Sequence, residues 1–374
     1  MNGRWCEQVP PCRNADAGAE PNSPSSASYP LRVNPDPGLS IAVVGAGVVG
    51  LTTAVRLLQR GLAVTIYAEG RSPRIASAAA PAMFTPFPGS DVARSRRWAQ
   101  SSLQALRALE RSEGPSAGVR FGPFREYCYR QPGARPFADL SCEHAAPVVP
   151  QGFAAVLDSD RPHIDTTQHL AWLERRVGLL GGRMVHERIT SLAALFERGH
   201  EIVVNCAGVG ARALAGDPLV RAMRGIVLHT RPVPGLARSL HDDAPGNVVT
   251  YVFIYDDHLV LGSTYEQDAW DERIDQGQLQ AIIDRCRKLA CVDGCPNWRD
   301  LGAEILDRRV GLRPARGQTG VTEDVRLEIE HAGAGRTIVH NYGHGRSGVS
   351  LAWGTAEEAA DLVSAVARGT ARPD

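Results

Sequence analysis

Three glycines near the start of the chain have a spacing that can bind a phosphate group. The segment Gly45-Ala46-Gly47-Val48-Val49-Gly50 directly follows the apolar run Ile41-Ala42-Val43-Val44. In a strand–turn–helix with this spacing, the first glycine permits the turn and the second lets the backbone approach a diphosphate. The third lets the helix pack closely on the strand. The N-terminus of the helix supplies N–H donors and positive potential. The segment therefore predicts a site for the diphosphate of a dinucleotide.

An acidic residue stands where such sites bind a ribose. Glu69 follows a second apolar run, Ala63-Val64-Thr65-Ile66-Tyr67, at the expected distance of about 20 residues beyond the glycines. A structural glycine turn would not account for this acid. The small-residue segment Ser77-Ala78-Ala79-Ala80-Pro81-Ala82 comes next. Because small residues let the backbone approach a flat ring, this segment favours a buried flavin over an exchanging nicotinamide.

A second glycine-rich segment lies near the end of the chain, and a cysteine cluster precedes it. The spacing from His340 to His344 is that of a helical metal pair, but the intervening and following glycines argue against a helix there. Cys286, Cys291 and Cys295 lie close together in sequence, but neither a second cysteine pair nor nearby histidines follow, as structural zinc requires. We therefore predict no metal site and reduced, structural thiols.

The apolar periodicity predicts the elements that position these residues. Parallel βαβ patterns around residues 39–85 and 155–225 alternate with short, antiparallel strand patterns. A last strand, Arg336 to Val339, and a helix over roughly Ala356 to Ala367 close the chain. The predicted fold is α/β: a doubly wound dinucleotide-binding domain built from discontinuous segments, with an inserted antiparallel β-rich substrate domain. The first domain is assigned residues 39–85, 155–225 and 300–374. The second is assigned residues 86–154 and 226–299.

Composition excludes several classes of protein. The 374 residues contain 41 Lys and Arg against 41 Asp and Glu, so nothing favours nucleic acid or an anionic membrane as a partner. No apolar run approaches the roughly 20 residues that a membrane helix needs. Residues 1–38 are rich in Pro, Ser, Asn and Ala, and we expect a disordered extension. The C-terminus lacks a peroxisomal address, and a cytoplasmic setting is the expectation.

Taken together, these segments resemble the D-amino-acid oxidase family of FAD enzymes. The resemblance runs from about Leu39 to the final helix. Its motifs are Val43-Val44-Gly45-Ala46-Gly47-Val48-Val49-Gly50-Leu51, Tyr67-Ala68-Glu69, Val204-Asn205-Cys206-Ala207-Gly208-Val209, Arg224-Gly225, Gly311-Leu312-Arg313-Pro314-Ala315-Arg316 and His340-Asn341-Tyr342-Gly343-His344-Gly345. The last two are specific to this family, and the order of the motifs along the chain matches it.

The resemblance implies FAD as cofactor and assigns residues to it. The positions that fall along the cofactor are Gly45, Ala46, Gly47, Val48, Val49, Gly50, Glu69, Ser77, Ile189, Ala207, Gly208, His344, Gly345, Gly348, Val349 and Ser350.

The resemblance also implies a catalytic and substrate-binding set. Arg313 is at the position of an arginine that grips the substrate carboxylate, and Tyr251 at that of a tyrosine that hydrogen-bonds it. The backbone carbonyl of Arg346 is where the family binds the substrate amine. Thr85 and Phe253 help to shape the side-chain pocket. From the residues alone, a strand tyrosine such as Tyr251 is more often a core residue than a ligand. A surface arginine is the alternative for Arg313, although Leu312 and Pro314 flank it.

Two positions depart from the family pattern. Asn247 stands where many members carry a second tyrosine, and Arg346 stands where glycine is usual. The implied reaction is oxidative deamination of a D-amino acid, with dioxygen as co-substrate. Three alternatives stay open: an oxidase of glycine or a secondary amino acid, a nicotinamide-dependent dehydrogenase, and a non-catalytic flavin-binding protein. A homodimer is the open alternative to a monomer.

Overall fold

The structure, a computed structural model, describes residues 39–369 apart from residues 71, 73–74, 134, 245–247, 318–323 and 334. The predicted disordered extension, residues 1–38, lies outside the described residues, and so does Asn247.

The strands form two sheets. In chain order they are β1 (Ser40–Val44), β2 (Ala63–Ala68), β3 (Ala82–Met83), β4 (Val119–Cys128), β5 (His144–Ala145), β6 (Ala155–Ile164), β7 (Arg183–His186), β8 (Ile202–Asn205), β9 (Val220–Thr230), β10 (Ser239–Asp242), β11 (Val248–Ile254), β12 (Leu259–Thr264), β13 (Glu266–Gln267), β14 (Ile305–Arg316), β15 (Arg326–His331) and β16 (Thr337–Tyr342).

The helices are α1 (Val48–Gln59), α2 (Ala76–Ala79), α3 (Val92–Glu113), α4 (Thr166–Leu179), α5 (Ala193–Phe196), α6 (Ala211–Leu214), α7 (Gln276–Val292) and α8 (Gly348–Ala367). Short 3-10 turns fall at Gly114–Ala117, Ala138–Ser141, Gly208–Gly210, Trp298–Asp300 and Gly345–Ser347.

The first sheet is the doubly wound layer that the glycine segment predicts. Its strand order is β15-β16-β8-β1-β2-β7, with parallel pairing from β16 to β7 and an antiparallel edge strand, β15. The interior strands are continuously apolar because helices cover a parallel sheet. Helix α1 packs against α4 and α8. From β1, the sheet continues through β2 and β7 on one side and through β8 and β16 on the other. Ligands of doubly wound sheets bind at the carboxyl ends of the strands where the chain changes side in this way.

The second sheet is larger and mainly antiparallel. Its order is β13-β9-β12-β11-β10-β4-β6-β3, with β14 also paired to β9 and β5 to β6. The exception is β10, which runs parallel to β4. Helix α7 packs against β11 and β12. Its buried residues Leu279, Ile282, Ile283, Cys286 and Leu289 recur at helical spacing, so one face of the helix closes this core.

Several predicted elements have different bounds in the structure. The closing helix α8 begins at Gly348 rather than near residue 356, because the run from Val349 to Trp353 is helical and buried. Strand β16 continues to Tyr342 instead of ending near Val339.

The two sheets do not follow the predicted domain segments one for one. Strands β6, β9 and β14 start or lie in segments assigned to the cofactor domain, yet they pair in the second sheet. The domain boundaries themselves stay a prediction. Among the described helices, none combines the length and the apolar character that crossing a membrane takes.

Candidate functional site

One large cavity collects the predicted site residues. Its volume is about 1100 Å³, and it is lined by the residues that follow β1, β2, β7, β8 and β16 and by residues of β4, β6, β10, β11 and β14. Sites for drug-sized ligands usually span about 300–1,000 Å³. The cavity is therefore large enough for an extended cofactor together with a small substrate.

Every residue predicted to contact cofactor or substrate lines this cavity, with one exception. The lining members are Gly45, Ala46, Gly47, Val48, Val49, Glu69, Ser77, Thr85, Ile189, Ala207, Gly208, Tyr251, Phe253, Arg313, His344, Gly345, Arg346, Gly348, Val349 and Ser350. Gly50 is the exception. It lies behind the loop, where a Cβ would overlap the carbonyl oxygen of Gly45.

The loop between β1 and α1 has the form that its sequence predicts. Gly45 has φ of +109°, and its N–H donates to the carbonyl of Tyr67 at 2.8 Å. A Cβ on Gly45 would overlap the carbonyl oxygen of Cys206. At the start of α1, the hydroxyl of Ser77 accepts a hydrogen bond from the N–H of Val48 at 3.0 Å. Gly47, Val48 and Val49 at the start of the helix line the cavity, as a diphosphate site requires.

Glu69, the acid predicted to bind a ribose, lies at the rim of the cavity. Glu69 directly follows β2, and its side chain is 64% exposed. One carboxylate oxygen lies 3.4 Å from Nε of Arg188, which precedes Ile189 in the loop after β7. This end of the cavity is open to solvent, so the carboxylate is accessible to the hydroxyls of a bound ribose.

The N-terminus of α8 holds a neighbouring segment against the cavity. The hydroxyl of Ser350 accepts from the N–H of Thr85 at 3.0 Å, and that of Ser347 accepts from the N–H of Phe87 at 2.9 Å. His344 is buried, with Nε2 at 3.1 Å from Oγ1 of Thr355. Burial lowers the pKa of His344 to about 3, so this imidazole is neutral at physiological pH.

Arg313 and Tyr251 meet on the second sheet. Nη2 of Arg313 donates to Oγ of Ser263 at 3.1 Å, and Nη1 lies 3.5 Å from the carbonyl of Thr264. Tyr251 is 5% exposed, and its buried hydroxyl has no hydrogen-bond partner of good geometry among the described residues. Burial raises the pKa of Tyr251 to about 12, although the charge of Arg313 acts in the opposite direction. A buried hydroxyl beside a guanidinium is a ready partner for an anion.

Phe253 and Arg346 complete the predicted substrate set. The ring of Phe253 stacks on that of Tyr251 with centroids 4.4 Å apart. Arg346 is exposed, and its guanidinium lies over the ring of Phe87 at 3.9 Å and near that of Tyr265 at 5.6 Å. This stack of one cation between two aromatic rings stands at the exposed edge of the cavity.

Sequence reasoning missed an ionic cluster that also lines the cavity. It consists of Glu126, Arg135, Glu143, Arg161 and His241. Arg135 bonds Glu126 at 2.5 Å and Glu143 at 2.6 Å, and Arg161 bonds Glu143 at 2.8 Å. Burial alone would raise the pKa of Glu126, but His241 and Arg135 hold it well below its usual range.

The members of this cluster come from β4, β6, β10 and the segment between β4 and β5. They are scattered over more than a hundred residues of sequence, and no local spacing signals them. Alternation along β4 could have placed Phe124 and Glu126 on one face of a strand, but not their partners.

The residues present fit FAD. The glycine loop leaves a cradle that side chains would fill, since a Cβ on Gly47 would lie 3.1 Å from Oγ of Ser77. Donor groups at the start of α1, the exposed Glu69 and the small residues Ala207 and Gly208 line one continuous cavity. They suit, in that order, a diphosphate, a ribose and a flat ring that needs close backbone approach.

The two metal-like spacings in the sequence do not come together as sites. His340 lies on β16 and contacts Glu330, whereas His344 contacts Thr355. Cys286 and Cys295 are buried, and Cys291 is exposed on α7. Of the described residues, Asp165, Asp257 and His258 do lie near enough to share an ion, but Asp257 is exposed and none of the three lines the cavity.

The fold and the cavity agree with what comparison with known proteins finds. Residues 40–362 match the family described as FAD dependent oxidoreductase, and the chain belongs to that family. Its cofactor is FAD.

Particular relatives narrow the class further. The chain is 38% identical to a D-amino-acid oxidase of Streptomyces coelicolor, with 87% of this chain and 96% of the relative covered. It is 33% identical to the human D-aspartate oxidase, with 87% and 94% covered. Among solved structures, glycine oxidase from Geobacillus kaustophilus aligns with a TM-score of 0.69 at 19% identity, covering 89% of this chain and 95% of that one. At that identity the last likeness concerns the fold alone.

Proposed function

We propose that the protein oxidises a D-amino acid with dioxygen and water to the 2-oxo acid, ammonia and hydrogen peroxide. The observation that carries the substrate class is the guanidinium of Arg313 beside the hydroxyl of Tyr251, inside the cavity that fits FAD. When bound, FAD accepts a hydride from the α-carbon of the substrate and passes the electrons to dioxygen. D-amino-acid oxidase relatives of 38% identity support this assignment.

Arg313 binds the substrate carboxylate. A guanidinium carries five N–H donors in a planar fork, so its contacts with Ser263 and Thr264 leave donors for a bidentate pair with the carboxylate. The hydroxyl of Tyr251 donates to the same carboxylate. Because both groups lie on rigid strands, they fix the orientation of the α-carbon.

The remaining predicted residues hold the other substituents of the α-carbon. The carbonyl of Arg346 accepts a hydrogen bond from the substrate amine, and Thr85 and Phe253 line the side-chain pocket. No side-chain base is needed if the amine binds in its neutral form, which a desolvated pocket favours. The neutral, buried His344 is engaged with Thr355 and is not assigned a proton.

A narrower candidate function is the oxidation of acidic D-amino acids, which the side chain of Arg346 would favour. Its guanidinium stands at the exposed edge of the cavity, where it attracts a second carboxylate. The 33% identity to human D-aspartate oxidase is consistent with this preference. A cytoplasmic setting and a homodimer stay predictions.

Anaerobic bleaching of the bound flavin tests the proposal. The FAD-loaded protein is mixed with a panel of D-, L- and N-methyl amino acids and glycine, and the flavin absorbance is followed. We expect bleaching with D-amino acids and none with their L-enantiomers. Bleaching by glycine or N-methyl substrates alone would favour the alternative of an oxidase of glycine or a secondary amino acid. The absence of bleaching by every compound would support the alternative of a non-catalytic flavin-binding protein. Replacing Arg346 by glycine should reduce the preference for D-Asp and D-Glu over D-Ala and D-Pro.

A further inference from the structure

Two glycines lie beneath the side chains that are proposed to hold the substrate. Gly225 is on β9, where it pairs with Gly311 of β14, two residues from Arg313. Gly262 is on β12, directly opposite Tyr251 of β11. Neither glycine lines the cavity, and neither has a positive φ. A left-handed backbone is therefore not the reason for glycine at either position.

The missing side chains leave the space that the two site residues occupy. A Cβ on Gly225 would overlap both terminal nitrogens and Cζ of Arg313. A Cβ on Gly262 would overlap the hydroxyl end of the Tyr251 ring. The guanidinium thus lies flat over β9, where it reaches Ser263 and Thr264 on the neighbouring strand.

We propose that Gly225 is a positioning residue that fixes the plane of the Arg313 fork for carboxylate binding. Gly262 does the same for the hydroxyl of Tyr251. This inference rests on the proposed function, because it concerns the same carboxylate. It goes further because it assigns a role in substrate recognition to two residues that do not contact the substrate. A side chain at either position would displace the guanidinium of Arg313 or the hydroxyl of Tyr251.

The two positions differ in how the protein can respond to a substitution. At Gly225 the overlapping atoms are the far end of a flexible side chain, which can move away at small cost to folding. At Gly262 they belong to a buried ring that stacks on Phe253 and has nowhere to move. A substitution at Gly225 therefore separates positioning from folding, whereas one at Gly262 affects both.

The test is Gly225→Ala in the FAD-loaded protein. Binding of the 2-oxo acid product, a carboxylate without the amine, is measured by titrating the flavin absorbance spectrum. We expect its dissociation constant and the substrate KM to rise roughly tenfold or more, the effect of losing a charge-assisted contact. We expect the thermal midpoint and the affinity for FAD to stay close to the parent values. Gly122→Ala is the matched control, since Gly122 lies on β4 of the same sheet and a Cβ there meets the His163 ring at an ordinary 3.4 Å.

A double substitution shows whether Gly225 acts through Arg313. Arg313→Lys replaces the wide fork by a narrow group. If Gly225 positions the fork, this change weakens product binding less in the Gly225→Ala background than in the parent, and equal factors in both backgrounds overturn the inference. If Gly225→Ala fails to fold, adding Arg313→Ala removes the overlap and should restore folding; failure of that double variant also overturns it.

The outcomes also separate this inference from the proposed function. Unchanged product binding in Arg313→Ala contradicts the carboxylate role itself. Weak binding in Arg313→Ala combined with a Gly225→Ala variant that behaves like Gly122→Ala contradicts only the positioning role.

Discussion

At the scale of single residues, the contacts of Arg313 decide between a surface arginine and a binding group. Apart from the family resemblance, flanking Leu312 and Pro314 are the hint in the sequence that it is not an ordinary surface residue. In the structure it is half-buried, lines the cavity, and bonds Ser263 and Thr264 rather than a carboxylate side chain. A half-buried guanidinium whose described hydrogen bonds go to a hydroxyl and a carbonyl keeps its charge available for an anion.

Removing this guanidinium should therefore weaken the binding of substrate more than it affects folding. We expect Arg313→Ala to lose about 2–5 kcal/mol of substrate binding, because the carboxylate would be left without a partner in a desolvated site. The measurement is the dissociation constant of a D-amino acid from the rate of anaerobic flavin reduction at increasing concentration. Arg308→Ala, an exposed arginine of the same strand, is the control and should behave as the parent. Unaltered affinity in Arg313→Ala would remove the arginine from its role.

The ionic cluster marks the limit of what single residues reveal in sequence. Glu126, Arg135 and Arg161 are ordinary charged residues in the chain, separated by turns and strands. The antiparallel pairing of β4 with β6 and the parallel pairing of β4 with β10 bring Glu126, Arg161 and His241 together. Long-range pairing of this kind leaves no local pattern, so this part of the cavity wall could not be predicted.

At the scale of elements, the loop from β1 to α1 shows why its third glycine matters although it does not line the cavity. Gly50 packs against Gly45 so closely that a Cβ would overlap a backbone oxygen, and backbone cannot yield as a side chain can. The approach of helix to strand sets the position of the amide groups that face the cavity. Gly50 thus acts on the cofactor through the geometry of the turn.

Gly50→Ala should therefore separate α1 from β1 and weaken cofactor binding. Forced overpacking costs about 1–3 kcal/mol of folding free energy, and we expect FAD affinity to fall about tenfold or more as the amides shift. Flavin fluorescence gives the affinity, and urea unfolding gives the stability. For comparison, Gly178→Ala in α4, where a Cβ meets nothing within 4 Å, should keep FAD affinity and gain slightly in stability. Equal FAD binding in both variants would contradict the role of Gly50.

Elements with a strong local pattern were predictable, and those that depend on pairing were not. The glycine loop with its strand and helix, and the Asp165 cap of α4, follow from residues adjacent in sequence. The sequence predicts that the closing helix begins near Ala356, whereas the structure begins α8 at Gly348, directly after the 3-10 turn Gly345–Ser347. Membership of β6, β9 and β14 in the second sheet is likewise decided by distant partners.

At the scale of the whole molecule, buried histidines on β6 and on α4 constrain the response to acid. Nδ1 of His169 lies 2.8 Å from the carbonyl of Ala117, so it donates, and Nε2 is buried with no partner among the described residues. His163 bonds the carbonyl of Arg161 and the hydroxyl of Ser239. Burial lowers the pKa of each of these two histidines to about 4.

These lowered pKa values predict that the folded protein loses stability between pH 6.5 and pH 5. An unfolded histidine binds a proton near pH 6.5, whereas His163 and His169 resist it while folded. Their contribution to stability is therefore complete above pH 6.5 and decreases as the pH falls towards 4, by about 3 kcal/mol for each histidine over the full range. The free energy of unfolding in urea, measured at intervals from pH 7.5 to 5, should fall across this window. Carboxyl groups with lowered pKa values change protonation mainly below this pH window, so they affect the free energy of unfolding little within it.

Substitution identifies the groups responsible. His169→Asn keeps a donor towards Ala117 but cannot be protonated, so it should remove the share of one histidine from the pH dependence even though it lowers the absolute stability. His186→Gln replaces an exposed histidine of β7 and should leave the slope unchanged. A free energy of unfolding that is constant from pH 7.5 to 5 would contradict the assignment. The same slope in the parent and in His169→Asn would also contradict it. The proposed cause is that the buried imidazole of His169 has no hydrogen-bond acceptor for a second proton.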